Sequence, residues 1–213
     1  MINLLNNFAF RLLMVLLLAT GIVFIWSLNT LKTSDQQSDT WVDQGGHLHV
    51  LGIELGKTTL REAETALESR SDTAIYIYPK GNPHAGMTLE AFFPAIGDHS
   101  KVILKLHASP ALLEQLQQRS TIPHLYPNKV ARMNLHPEDQ TTVQQLIVNE
   151  ATLIPSLHIT SEMLKKRFGE PSTTSSIDDE TTHYYYQAIG LHAIITKDDV
   201  ARLQFSNPTL NHQ

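Results

Sequence analysis

Ile159-Thr160-Ser161-Glu162-Met163-Leu164-Lys165-Lys166-Arg167-Phe168-Gly169-Glu170-Pro171 decides the fold. Thr160 is an N-capping residue, Met163, Leu164 and Phe168 are spaced for one inward helical stripe, and Gly169-Glu170-Pro171 is a stop signal. A helix followed by a break is therefore expected. Residues 172–182 (STTSSIDDETT) read as an exposed acidic loop. Three strands should follow, at His183 to Gln187, Leu191 to Thr196 and Val200 to Phe205. Their links are too short for parallel crossovers, so they predict antiparallel hairpins.

The same grammar occurs earlier in the chain. Thr59-x-x-Glu62 is a capping-box signature, and Leu60, Ala63 and Leu67 recur at helical spacing towards Arg70. Aligned on their caps, Thr59 matches Thr160, Ala63 matches Leu164 and Leu67 matches Phe168. An aromatic strand follows each helix: Ala74 to Tyr78 (AIYIY) in the first half, and Tyr184 to Tyr186 in the second. Pro79 to Gly86 is dense in turn residues. Lys101 to His107 (KVILKLH) alternates as a strand, with Val102, Leu104 and Leu106 opposite Lys101 and Lys105. Ser109-Pro110 caps a helix carrying Leu112, Leu113 and Leu116 to near Arg119. Lys129 to Leu135 reads as a strand, and His136-Pro137-Glu138-Asp139 opens a helix with Val143, Leu146 and Ile147. The fold class is thus α+β: an N-terminal transmembrane helix and then two small helix-plus-antiparallel-sheet modules, at 47–128 and 129–206, with a tail at 207–213.

The run Ile159 to Pro171 with its Tyr-rich strand resembles the SmpA/OmlA (BamE-like) modules, which share an architecture with the β-lactamase-inhibitor-protein-like repeat. Leu55-Gly56-Lys57-Thr58-Thr59, with Glu62, Ala63 and Leu67, is similar to a second, degenerate copy in which Glu68 stands where the family prefers Gly. The resemblance covers about half of the chain, and its motif is mostly cap and core chemistry, which specifies fold better than function. It implies a small envelope protein that binds other proteins. The family's lipidated Cys has no counterpart here, which favours an inner-membrane anchor over an outer-membrane one.

That anchor is legible at the N-terminus. Leu12 to Leu28 (LLMVLLLATGIVFIWSL) has no charge, and counting from Phe8 gives 21 residues, roughly 31 Å of helix against a hydrocarbon core of roughly 30 Å. No small-x-small cleavage site follows, so an uncleaved signal anchor is expected rather than a signal peptide. Residues 1–11 carry Arg11 and no acid, whereas 29–46 hold Asp35, Asp39 and Asp43 against Lys32. The positive side stays inside, so residues 1–11 are cytoplasmic and the C-terminal region is periplasmic in a bacterium. Residues 29–46 read as a tether. Within it, Trp41 is expected either to pack on the following domain or to stand as an exposed contact.

Composition narrows the chemistry. The 213 residues include no Cys, which removes disulfides, thiolate metal sites and cysteine nucleophiles. A net charge of -5 gives no electrostatic reason to bind nucleic acid. Gly52 to Thr58 has three residues between its glycines where a phosphate-binding loop needs four. There is no Gly-x-Ser-x-Gly elbow. His47-x-His49 has a spacing that can serve a metal on one strand face, but no carboxylate or third His lies nearby at a recognised ligand interval, so no metal site is expected and these histidines, like His84 in its turn-rich loop, read as ordinary ones. His183 and His192 flank the last hairpin and are expected to be ordinary surface or half-buried histidines, with a pH-sensitive pair facing across the hairpin as the alternative. Lys165-Lys166-Arg167 complements a helix C-terminus. Tyr184, Tyr185 and Tyr186 must point to both sheet faces, so at least one ring lies outside the core. With Trp41, these three are the candidate partner-binding residues. The expected function is a non-enzymatic envelope module without a cofactor, held by one membrane pass and binding a protein partner. The alternative is an envelope hydrolase or metal-dependent enzyme using His47, His49 or His84.

Overall fold

Local signals set the helices. In the computed structural model, which describes residues 40–82 and 85–208 together with Leu17, Thr20 and Gly21, Thr59 closes a full capping box. Its N–H donates to Glu62 Oε2 (2.8 Å), and its hydroxyl accepts from the Glu62 N–H (3.4 Å). Helix α1, Leu60–Ala66, follows and buries Leu60 and Ala63. Ser109 caps α2, Pro110–Arg119, by accepting the Leu112 N–H, and Leu116 is its buried residue. Thr160 likewise accepts the Met163 N–H, and Gly169 at φ 81° ends the helix Ser161–Phe168. On that helix Leu164 is buried and Phe168 packs on the core, but Met163 is 45% exposed. Residues 164 and 168 share one helical stripe, and 163 falls about 100° away from it.

The helix expected from His136 is almost absent. A 3-10 turn at Pro137–Asp139 runs into one helical turn, α3, Gln140–Val143, and the chain then enters a strand, Val148–Ile154. Thr141, Thr142, Val143, Ile147 and Val148 are β-branched, which disfavours a longer helix. The helix Ser161–Phe168 is therefore α4.

Two sheets form. The smaller has β1 (Thr40–Val42), β2 (Leu48–Val50) and β3 (Ile53–Glu54) in that order, all antiparallel. Thr40 to Gly46, read from the sequence as the end of the tether, supply β1 and the turn into β2. The larger sheet contains β4 (Asp72–Tyr78), β5 (Gly86–Phe93), β6 (Lys101–Leu106), β7 (His124–Leu125), β8 (Ala131–Asn134), β9 (Val148–Ile154), β10 (Thr173–Ser176), β11 (Thr181–Tyr186), β12 (Leu191–Thr196) and β13 (Arg202–Ser206). Their spatial order is β10-β11-β12-β13-β9-β6-β5-β4-β8-β7, and every neighbouring pair is antiparallel. The late hairpins are as the short links predict. The stretch read as an acidic loop contains β10, whose four residues are exposed on the sheet edge.

β9 joins the halves. It pairs with β6 on one side (Leu104↔Ala151) and with β13 on the other (Phe205↔Ala151). Residues directly opposite share a face, so Ile75, Leu89, Phe93, Leu104, Ala151, Leu203 and Ala193 all point the same way. These residues lie in one buried cluster that also takes Leu60, Leu116, Val143 and Leu164 from the four helices. The expected halves 47–128 and 129–206 therefore share one sheet and one core. The small sheet adds Leu48, Val50 and Ile53 to that core. Asn207, after β13, ties it down by accepting the Leu48 N–H (2.7 Å) and donating to the Leu55 carbonyl (3.0 Å).

The chain from Asp39 onward is one compact unit. The expected anchor at 12–28 lies outside the described residues apart from Leu17, Thr20 and Gly21, which are helical. Among the described residues no helix is long and apolar enough to cross a membrane.

Candidate functional site

Among the described residues, the four helices each send their buried side chains into the core on one face of the large sheet, and no helix from Asp39 onward lies on the other face. Register places Tyr76 and Tyr78 (β4), Glu90 (β5), Ile103 and Lys105 (β6), Glu150, Thr152 and Ile154 (β9), Gln204 (β13), His192 (β12) and Tyr185 (β11) on that other face. Except for Glu90, Lys105 and Glu150, each of these is uncharged, and all are half-buried. All but Tyr76 and Tyr185 line a groove of about 710 Å³ whose floor includes Tyr78, Glu90, Ile103, Lys105, Glu150 and Thr152, and Lys101, Asp199 and Arg202 add further charges to its lining.

The charges on this floor are already organised. Lys105 Nζ lies 2.9 Å from Glu150 Oε1 across β6 and β9. Tyr78 Oη donates to Glu90 Oε1 (2.9 Å), and Thr88 donates to the same oxygen (2.8 Å). Burial pushes the Tyr78 phenol well above its ordinary value, and the neighbouring Glu90 carboxylate adds to that. It stays a protonated donor at any physiological pH. The groove thus combines an aromatic ring, branched aliphatic side chains, one fixed ion pair and a hydrogen-bonded carboxylate, a mixture suited to a protein surface.

At the β11–β12 end the two histidines meet, which is the alternative and not the main expectation from their spacing. His192 Nε2 is 2.9 Å from His183 Nδ1, His192 Nδ1 is 3.0 Å from Gln204 Oε1, and the Tyr185 ring stacks on His192 at 4.4 Å and 7°. Since Gln204 Oε1 only accepts, the His192 proton belongs on Nδ1, and Nε2 accepts from His183 Nδ1–H. Burial, and then His183, holds the His192 imidazole below its ordinary value. In the unfolded chain the ring titrates near 6.5, so as pH falls the unfolded state takes up this proton first. The stability His192 contributes is present above that value and lost as pH falls through the lower native one. His192→Gln should therefore flatten the fall in urea midpoint between about pH 7.5 and 5.5. Identical slopes for the two proteins would contradict this.

The candidate tyrosines separate by face. Tyr185 lies on the open face, Tyr184 is half-buried on the core face, and Tyr186 is 4% exposed with its ring 5.8 Å from Phe168. Trp41 is 50% exposed and lies flat on His49, with ring centroids 3.8 Å apart.

The two histidines of His47-x-His49 go to different partners. His47 Nδ1 is 3.2 Å from the Leu55 carbonyl. His49 Nε2 instead faces Asp43 Oδ2 (3.7 Å) and Glu54 Oε1 (4.0 Å). Neither carboxylate was visible as a ligand interval in the sequence, because the β1–β2 turn and the His49↔Glu54 register bring them in. Lys57 Nζ sits 2.5 Å from Glu54 Oε1 and 3.8 Å from Asp43 Oδ2. His84 lies outside the described residues. Gly52 to Thr58 forms β3 and a turn: Gly56, at φ 86°, donates its N–H to Val148 O, and the Thr58 hydroxyl accepts from the Glu54 N–H.

No protein-family model, no curated protein and no solved structure matches this chain.

Proposed function

We propose that the chain is a single-pass inner-membrane protein whose periplasmic α+β region binds a protein partner on the open face of the ten-stranded sheet. One observation carries the reading. A groove of about 710 Å³ runs across the sheet on the face that none of the helices described from Asp39 onward covers, and its floor mixes Tyr78 and Ile103 with the Lys105–Glu150 pair. A large, partly apolar face with preorganised charges is what a protein surface recognises. The reading is non-enzymatic. The membrane pass is supported by the uncharged run Leu12 to Leu28 and the charge asymmetry around it. The tandem, SmpA/OmlA-like reading is supported by repetition: α1 precedes the three-stranded meander β4–β6, and α4 precedes the four-stranded meander β10–β13.

Lys105→Glu combined with Glu150→Lys tests the binding face. The swap keeps an ion pair in place and reverses its direction in the groove, so folding should survive. Recovery of the partner from membranes solubilised in mild detergent is expected to fall about tenfold or more, since misplaced charges at an interface act chiefly against binding. Unchanged recovery would remove this face from the account. For topology, alkaline phosphatase fused after residue 38 should be active in a bacterial host, and an inactive fusion would place the C-terminal region on the cytoplasmic side.

A further inference from the structure

We propose that Asp43, His49 and Glu54 form a binding site for one first-row divalent cation of the zinc class, with Lys57 as the competing cation that holds the site in its absence. Three observations carry it. First, the donor atoms come from the β1–β2 turn, β2 and β3, and all lie within 4.8 Å of one another. Ligands of a tetrahedral ion, at bonds of about 2.0–2.2 Å, stand about 3.3–3.6 Å apart. His49 Nε2 is already 3.7 Å from Asp43 Oδ2 and 4.0 Å from Glu54 Oε1, so closure around an ion needs only small side-chain movements.

Second, the ligands are oriented by neighbours that do not touch the ion. Asp43 Oδ1 accepts the His47 N–H (2.8 Å), which leaves Oδ2 to face His49. Trp41 stacks on the His49 ring within 3° of parallel and fixes its plane. Such supporting contacts set the aim of metal ligands. Third, a cation already occupies this position, since the Lys57 ammonium lies against both carboxylates. Lys57 is 53% exposed and its stem is flexible, so it can swing out when a doubly charged ion arrives. One imidazole with two carboxylates favours zinc or manganese over calcium, which prefers an all-oxygen shell.

Trp41 makes the site observable. The chain has two tryptophans, and Trp26→Phe leaves Trp41 as the sole reporter, stacked on the candidate ligand. Titration of the full chain in mild detergent with zinc chloride should change Trp41 fluorescence with a 1:1 end point, and calcium chloride should not. Asp43→Asn, which retains the side-chain oxygen that accepts the His47 N–H, and His49→Ala should each weaken binding about tenfold or more. Lys57→Gln should tighten it about tenfold by removing the competing charge. That gain separates this site from adventitious binding at the other histidines, and it does not depend on a variant that fails to fold. The proposal is overturned if Lys57→Gln leaves zinc affinity unchanged or weaker, or if the 1:1 fluorescence change survives His49→Ala.

Discussion

Gly190→Ala is expected to lower the melting temperature by about 5–20 °C, from a destabilisation of about 2–5 kcal/mol. Two costs add at this position. Gly190 ends the 3-10 turn Gln187–Ile189 in the left-handed region, at φ 57° and ψ 27°, where an L side chain costs about 1–2 kcal/mol. A Cβ there would also run into the Ser206 carbonyl oxygen, with Pro208 N only 3.1 Å away. The backbone has little room to retreat. The Ser206 N–H donates to Gly190 O (3.0 Å), and the next residue pairs with β13 through Leu191↔Phe205. Overpacking of this kind typically costs a further 1–3 kcal/mol or so. Gly97→Ala is the control, because a Cβ there meets nothing within 4 Å. Calorimetry of both variants checks the expectation, and a Gly190→Ala melting temperature within about 2 °C of the parent would contradict it.

The second large effect is expected at Phe93. It is fully buried on β5, opposite Val102 on β6, and among the described residues it is the largest fully buried side chain. Phe93→Ala should cost about 3–5 kcal/mol, from lost burial and the cavity left behind. How the loss is distributed tells more than its size. Phe93 belongs to the first half of the chain, but it shares one cluster with Leu164, Ala193 and Phe205 of the second. Amide exchange in dilute urea should therefore show protection in β11–β13 falling together with protection in β4–β6. If β11–β13 kept the parent's protection while β4–β6 lost theirs, the two halves would be separate folding units and the shared core would be wrong.

What was legible in the sequence was local. Thr59 with Glu62, Ser109 with Pro110, and Thr160 with Gly169 mark helix ends through bonds that span only a few residues, and all three helices start where those residues say. The His183–His192 contact was legible, as an alternative, for the same reason, since β11 and β12 form a tight hairpin. β9 was not legible, although it joins the halves. Its core positions include a small Ala151, while Glu150 and Thr152 face the open groove, so no strong alternation of large apolar residues announces it. β10 (Thr173–Ser176) has no apolar residue at all and forms only because β11 offers it an edge. The cluster at His49 depends on two carboxylates brought in by the β1–β2 turn and a cross-strand register, and neither is a sequence interval. Tyr184 to Tyr186 predicted rings on both faces, but which rings point inward waited on the registers Tyr186↔Leu191 and Tyr185↔His192.

The central claim is that the open sheet face, and not the helical face, meets the partner. Site-specific photo-crosslinking in the full chain in its native membrane tests it most directly, with the probe placed in turn at Ile103, at Tyr185 and at Glu114 on the exposed side of α2. The account predicts the same adduct from Ile103 and Tyr185, none from Glu114, and loss of the adduct when Lys105 and Glu150 are exchanged. Adducts from Glu114 alone, equal adducts from both faces, or none from either open-face position would contradict it.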